Sequence, residues 1–404
     1  MKKITLLLTA MLISFSVFSQ WTPLTSGTTQ SLLGASFIND NTGWVVGAAG
    51  TIIKTTDGTT FTAQSSTTVN DLYSTLFINA DTGYAVGNNG TILKTINGGT
   101  SWATITSPVV TQLRDVYFTT ASIGFITGGL DGSIGYILKT TDGGTTWTSI
   151  PTGLSYCIYG IYFTDAMTGY ACDANGDIIK TIDGGSTWTP LTSGTGNHLF
   201  GIYFTDSSTG YIVGDPGVIL KTSNGGSTWT PETSGTTDYL YYVKFITATT
   251  GYAIGGNVGA NTSTILKTTD AGLTWTVETT SSTRQYVGSF PGHSGYSFGI
   301  NGTILKITGL SSMGINEYTN NNIISIYPNP ANNIVNINYQ LPNNATEAIV
   351  NTYNYTGKLI NSQLLQGNKG LTTLNVENLS NGLYLYNIIV GGTITATQRI
   401  VISK

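Results

Sequence analysis

Seven copies of one short pattern leave this chain few folds to choose from. Glycine followed by an aromatic residue recurs at Gly43-Trp44, Gly83-Tyr84, Gly124-Phe125, Gly169-Tyr170, Gly210-Tyr211, Gly251-Tyr252 and Gly295-Tyr296. The spacings are 40, 41, 45, 41, 41 and 44 residues. Each copy follows a stretch ending in Phe (Phe37, Phe77, Phe118, Phe163, Phe204, Phe245, Phe290). Each precedes a stretch carrying Lys (Lys54, Lys94, Lys139, Lys180, Lys221, Lys267, Lys306). After that Lys comes a turn of the form Thr-x-Asp/Asn-Gly-Gly-x-Thr-Trp, whose acidic or amide residue is Asn97, Asp142, Asp183, Asn224 or Asp270. A copy at Asp57 is one residue short and ends in Phe61.

Only 9% of residues are charged, too few to clothe helices, while 51 glycines suit many tight turns. Four short strands per repeat, seven times over, predict an all-β fold: a seven-bladed β-propeller. In the turn, an Asp or Asn oxygen accepts backbone N–H bonds, Gly takes the positive-φ position and Trp packs beside it. The six boxes at Asp57, Asn97, Asp142, Asp183, Asn224 and Asp270 are therefore expected to be structural.

The last repeat, ending in Gly302-Thr303-Ile304-Leu305-Lys306, has no box and no Trp. Trp21-Thr22-Pro23-Leu24-Thr25-Ser26-Gly27 repeats Trp188-Thr189-Pro190-Leu191-Thr192-Ser193-Gly194 residue for residue. The N-terminal strand is thus expected to complete the seventh blade and leave no open sheet edge.

Outside the repeats, Met1-Lys2-Lys3 and the apolar run Ile4 to Phe18 have the form of a signal peptide at residues 1–19. Fifteen apolar-rich residues are too few to span a bilayer, which takes about 20. The propeller is expected over 20–308, a polar linker over 309–322 and a small antiparallel β-sandwich over 323–404, where alternating runs are broken by Gly and Pro. Net charge of −4 offers no basic surface for nucleic acid.

Seven repeats with Asp boxes, each led by a Phe-ended strand and a Gly-aromatic pair, resemble the photosystem II assembly-factor propellers, part of the wider sialidase-like, BNR-repeat group. The C-terminal order is Tyr327-Pro328-Asn329-Pro330, Gly357-Lys358, Leu379-Ser380-Asn381-Gly382-Leu383-Tyr384 and a basic-apolar tail from Arg399. It resembles the type A sorting domain of the type IX secretion system in Bacteroidetes. That resemblance implies handling by the type IX machinery through residues 323–404, passage across the outer membrane, and release or anchoring at the cell surface. A photosystem role is not expected of a protein sent out of such a cell.

In a propeller, the connection into each inner strand and the loop between strands two and three share a mouth face. Six positions before each Phe lie Ser31, Asp71, Gln112, Cys157, His198, Tyr239 and Arg284. Four before lie Leu33, Tyr73, Arg114, Tyr159, Phe200, Tyr241 and Tyr286. The first set varies in chemistry where the rest of the repeat does not. Acidic residues Asp131, Asp173, Asp177 and Asp215 fall in loops of this face. The expected binding residues are Asp71, Arg114, Tyr159, Asp173, His198, Asp215, Tyr239, Tyr241 and Arg284; the alternative for the tyrosines is packing between blades. The propeller carries 10 Lys and Arg against 17 Asp and Glu, so a sugar, a cationic peptide or a metal ion suits such a mouth.

Asp173-Ala174-Asn175-Gly176-Asp177 has the oxygen spacing of a calcium loop start, but Ile178 and Gly184 stand where that loop needs Gly and an acid. A hairpin turn at Asn175-Gly176 is the expectation, and no cofactor is called for. Two arginines in the propeller are too few for the carboxylate-gripping triad of sialidases. His198 and His293 lie in no zinc or Ser-His-Asp motif. Asp173 and Asp215 could pair as glycosidase carboxylates, as any ring of acidic loops could. The sequence therefore favours a non-enzymatic, exported propeller binding a protein or glycan, ahead of a glycoside hydrolase or a structural surface-layer component. Cys157 and Cys172, the only cysteines, are no disulfide framework, though a bond between them stays open.

Overall fold

The computed structural model describes residues 21–279, 281–310, 324–328, 331–341, 347–354, 359–367, 369–390 and 393–404. The signal peptide expected at residues 1–19 lies outside them, as do residues 311–322 of the expected linker and the motif residues Asn329, Pro330, Gly357 and Lys358. The chain divides into two compact units between Ser311 and Ser312.

The first unit is all-β and contains seven four-stranded antiparallel sheets. Six are built from four consecutive strands, as in the first blade: Leu32–Phe37, Gly43–Gly47, Ile52–Thr55 and Phe61–Gln64. The seventh joins the two ends of the propeller sequence. Gln285–Ser289, Ser294–Gly299 and Ile304–Thr308 are completed by Thr22–Leu24, with Thr22 opposite Lys306 and Leu24 opposite Ile304. The closure expected from the displaced Trp-Thr-Pro-Leu copy is what the structure contains.

Two repeated contacts explain why the repeat has its sequence. The Phe ending each inner strand stacks on the aromatic of the Gly-aromatic pair in the preceding blade. Examples are Phe118 on Tyr84 at 4.3 Å, Phe245 on Tyr211 at 4.0 Å and, closing the ring, Phe37 on Tyr296 at 4.3 Å. The glycine is required because that Phe lies under it: a Cβ on Gly124 would sit 2.6 Å from the Phe118 ring. The Lys of strand three crosses to the next blade, where its ammonium donates to a box carbonyl. Lys94 reaches Gly143 O at 2.7 Å, Lys180 reaches Gly225 O at 2.8 Å and Lys306 reaches Gly58 O at 3.0 Å.

The boxes themselves are hydrogen-bonded turns. Asp142 Oδ1 accepts from the Thr145 and Thr146 amides at 3.0 and 2.9 Å and from Thr140 Oγ1 at 2.8 Å, and its Oδ2 accepts from Thr146 Oγ1 at 2.7 Å. Asn97 holds its turn in the same way, accepting from the Ser101 amide at 2.9 Å. These bonds hold the carboxyls of Asp57, Asp142 and Asp183 well below the usual range and that of Asp270 at about 2.

The second unit packs a three-stranded sheet (Ile324–Tyr327, Ile334–Gln340, Lys369–Asn375) with a four-stranded one (Leu359–Gln366, Glu347–Asn354, Gly382–Val390, Thr393–Ile402). Its core includes Val335, Ile337, Val350, Tyr386 and Ile388, as the alternating runs predict. No helix among the described residues is long and apolar enough to cross a membrane.

Candidate functional site

The inner strands carry one irregularity at the same place in every blade. Pairing with strand two slips by a residue between Leu32 and Gly34, Leu72 and Ser74, Leu113 and Asp115, Ile158 and Gly160, Leu199 and Gly201, Leu240 and Tyr242, and Gln285 and Val287. The skipped residues are Leu33, Tyr73, Arg114, Tyr159, Phe200, Tyr241 and Tyr286, the row four positions before Phe. A β-bulge leaves its extra residue out of the ladder and re-aims the side chain. Here seven bulges bring seven side chains to one level.

Six of the seven touch in sequence around the mouth. The Arg114 guanidinium lies 4.3 Å from the Tyr73 ring centroid and 4.9 Å from that of Tyr159. Tyr159 meets Phe200 edge to face at 5.0 Å, Phe200 meets Tyr241 at 5.2 Å, and Tyr241 meets Tyr286 at 5.4 Å. The rings are half-buried, so they pack between blades and also present surface. Burial pushes the Tyr159 and Tyr241 hydroxyls up to about 12, against the pull of Arg114 and Arg284 respectively.

Arg284 lies over Tyr286 at 5.1 Å and donates to its hydroxyl at 2.7 Å. Arg114 donates to Gln112 Oε1. Neither guanidinium pairs with a carboxylate among the described residues, and the Nε of each is buried without a partner. The aromatic arc from Tyr159 to Tyr286 therefore has an arginine at either end. Tyr239 adds a ring beside Phe200 and Tyr241, at 6.2 and 6.1 Å.

The other expected binding residues are engaged by the fold. Asp71 accepts from the Ala49 amide of the preceding blade at 2.9 Å. Asp173 is fully buried; its Oδ1 accepts from the Asn175 and Asp177 amides at 2.8 Å each, its Oδ2 has no partner, and burial raises its pKa to about 6. This is the hairpin turn that Asn175-Gly176 predicts, held by Asp173 Oδ1. Asp215 is also buried, accepting from the His198 amide at 3.0 Å and standing 3.5 Å from His198 Nδ1, whose ring is exposed. One oxygen of each of Asp173 and Asp215 is thus engaged by backbone amides. Among the described residues no His, Cys, Asp and Glu group is placed to hold a metal ion.

Cys157 and Cys172 are free and buried. Burial lifts the Cys157 thiol to about 11 despite nearby Arg114, so it is a poor nucleophile.

Fold and mouth together define an Asp-box propeller whose bulged inner strands form an aromatic and arginine collar. Residues 13–106, 59–155 and 150–233, more than half of the chain, match the family of the photosynthesis system II assembly factor YCF48, and the chain belongs to that family. Residues 325–403 match the secretion system C-terminal sorting domain. Among solved structures, YCF48 bound to D1 peptide is similar with a TM-score of 0.60 at 21% identity, over 72% of this chain and 96% of that one. YCF48 from Cyanidioschyzon merolae gives 0.55 at 19% identity, covering 72% and 99%. The WD40 propeller domain of Doa1 gives 0.59 at 10% identity, covering 72% and 98%. At these identities the likeness is one of fold. No curated protein matches the chain. The sorting domain marks the propeller for export.

Proposed function

We propose that the protein is a non-enzymatic propeller, exported through the type IX pathway, that binds an extracellular protein or glycan at its mouth. The division into a signal peptide at 1–19, a propeller over 20–308, a linker over 309–322 and a sorting domain over 323–404 belongs to this proposal. The observation that carries it is the bulge on all seven inner strands, which sets Arg114, Tyr159, Phe200, Tyr241 and Tyr286 in one collar, with Arg284 beside it. Flat aromatic faces suit sugar rings and peptide side chains, and two guanidiniums with no acidic partner suit polar or anionic groups on the same ligand. A propeller of this family has been seen with a peptide, the D1 peptide of the YCF48 complex. Export places the present chain away from any photosystem, so the family's assembly role is not carried over.

The glycoside hydrolase alternative is less favoured, because Asp173 and Asp215, the carboxylates it would pair, each already accept from backbone amides. Glycan arrays and a peptide library probed with the full chain, beside turnover of chromogenic glycosides, test the proposal. Selective binding weakened at least about ten-fold by Tyr241→Ala or Arg284→Ala, with no turnover, is expected. Hydrolysis of any glycoside, or binding indifferent to both substitutions, would overturn it.

A further inference from the structure

An antiparallel sheet that packs one face on a core normally turns polar side chains to water on the other. The three-stranded sheet of the second unit does so. Asn338, Thr373 and Asn375 are exposed there, and Thr373 Oγ1 donates to Asn336 Oδ1 at 2.9 Å across the strands. One aliphatic, Leu371, stands among them opposite Asn338 and is 62% exposed.

The four-stranded sheet breaks the rule. Its residues Ala348, Val350, Tyr386 and Ile388 are buried in the core, so the residues alternating with them face outward. Two of the resulting cross-strand rows are apolar. In one, Ile349 lies between Leu364 and Ile389; in the other, Tyr353 lies between Leu359 and Leu385. The row between these two is Ser362, Asn351 and Asn387, and none of the three rows holds a charged residue. Leu364 is 50% exposed, Leu359 48% and Ile349 39%, while Tyr353, Leu385 and Ile389 are half-buried. Val401, between the buried Ile400 and Ile402, continues the apolar surface on the last strand.

A contiguous apolar surface open to water marks an interaction site. The unit that carries it is the one that matches the sorting domain, at residues 325–403. A sorting signal acts only by being held by the machinery that reads it. The chemistry of the face fits a protein partner that is itself apolar and uncharged, since a sugar or a charged surface would find only Ser362, Asn351 and Asn387 to bond.

We infer that the outer face of the four-stranded sheet, centred on Ile349 and Leu364, is the surface by which the type IX machinery holds the chain, through an apolar protein surface of its own. The inference rests on export through that machinery and is independent of the mouth.

Export of the full chain from a bacterium with the type IX machinery tests the face, with a strain lacking that machinery as reference. Ile349→Thr combined with Leu364→Thr keeps β-favouring residues and removes two of the three aliphatics of one row. The exported fraction is expected to fall at least about ten-fold, with the chain retained in the periplasm, while the purified double variant melts as the native chain does. Leu371→Thr, the same change on the polar face, should be exported normally. Each single variant should show a smaller loss, so the outcome does not depend on the double variant folding.

Export of the double variant at the native level, or an equal loss in Leu371→Thr, would overturn the inference. So would a native chain that light scattering finds dimeric and a double variant it finds monomeric, which would give the face to a second copy. A double variant melting well below the native chain would also overturn it, by showing the face already covered within the chain. Native export that persists without the type IX machinery would instead sink the export reading, and this inference with it.

Discussion

Trp21 and Phe290, from opposite ends of the propeller sequence, meet edge to face with ring centroids 6.2 Å apart and planes at 87°. The same geometry joins Trp147 to Phe118 and Trp229 to Phe204, where the Trp belongs to the box of its own blade. Trp21 therefore stands in for the Trp that blade seven lacks, and it is the main apolar anchor of a strand only three residues long.

Because that strand is so short, its hold depends on the buried indole. Trp21→Ala should cost about 3–5 kcal/mol and lower the melting temperature by on the order of 10 °C, and deleting residues 20–27 should lower it further. Calorimetry of the full chain measures both. A deletion variant melting like the native protein would show that blade seven closes without the N-terminal strand.

The lysine of strand three is a cation on the box face whose acceptor lies one blade away, so equal-looking lysines should differ in value. Lys180 donates to Gly225 O at 2.8 Å, an acceptor it shares with the Tyr170 hydroxyl, also at 2.8 Å. Lys267 faces blade seven, which has no box, and pairs instead with Glu278 of its own blade at 3.3 Å. Lys180→Met should therefore cost about 1.5–3 kcal/mol as a charged hydrogen bond lost. Lys267→Met should cost no more than about 1 kcal/mol, as for a partly exposed ion pair. Urea unfolding of the two variants decides it, and equal losses would mean that the inter-blade bond carries no special weight.

The fold was almost wholly legible in the sequence, because each blade is local and its signals repeat at fixed offsets; even the split blade shows as one copied heptapeptide. Contacts between blades were legible only as unexplained regularities. The lysine register is visible, but nothing in sequence marks a carbonyl some 45 residues later as its acceptor, as Gly225 is for Lys180. The collar row is visible as aromatics four positions before Phe, whereas the bulge that turns them inward is a fact of pairing. Asp173 falls in a mouth loop by position, yet its own turn amides capture it.

Two sets of carboxylates give the propeller a pH profile with a maximum on the acid side. Hydrogen bonds hold Asp57, Asp142, Asp183 and Asp270 below their ordinary values in the folded state. Their stabilisation is complete above the unfolded pKa of about 4 and is lost as pH falls through the folded values. Asp115 and Asp173 behave oppositely, since burial raises both to about 6. Their folded forms bind protons that the unfolded chain has released, a contribution fully present below about pH 4 and lost as pH rises through 6. Each is worth on the order of 2–3 kcal/mol across that window. The melting temperature should thus climb as pH is lowered from 7 to about 4.5, then fall below 4. Asp115→Asn should diminish the climb, leaving the share of Asp173, and leave the acid-side fall. Replacing the four box aspartates by Asn, which already forms the boxes at Asn97 and Asn224, should reduce the fall and leave the climb. Calorimetry from pH 3 to 7 separates the two, and a climb undiminished in Asp115→Asn would rule out Asp115 as one of its sources.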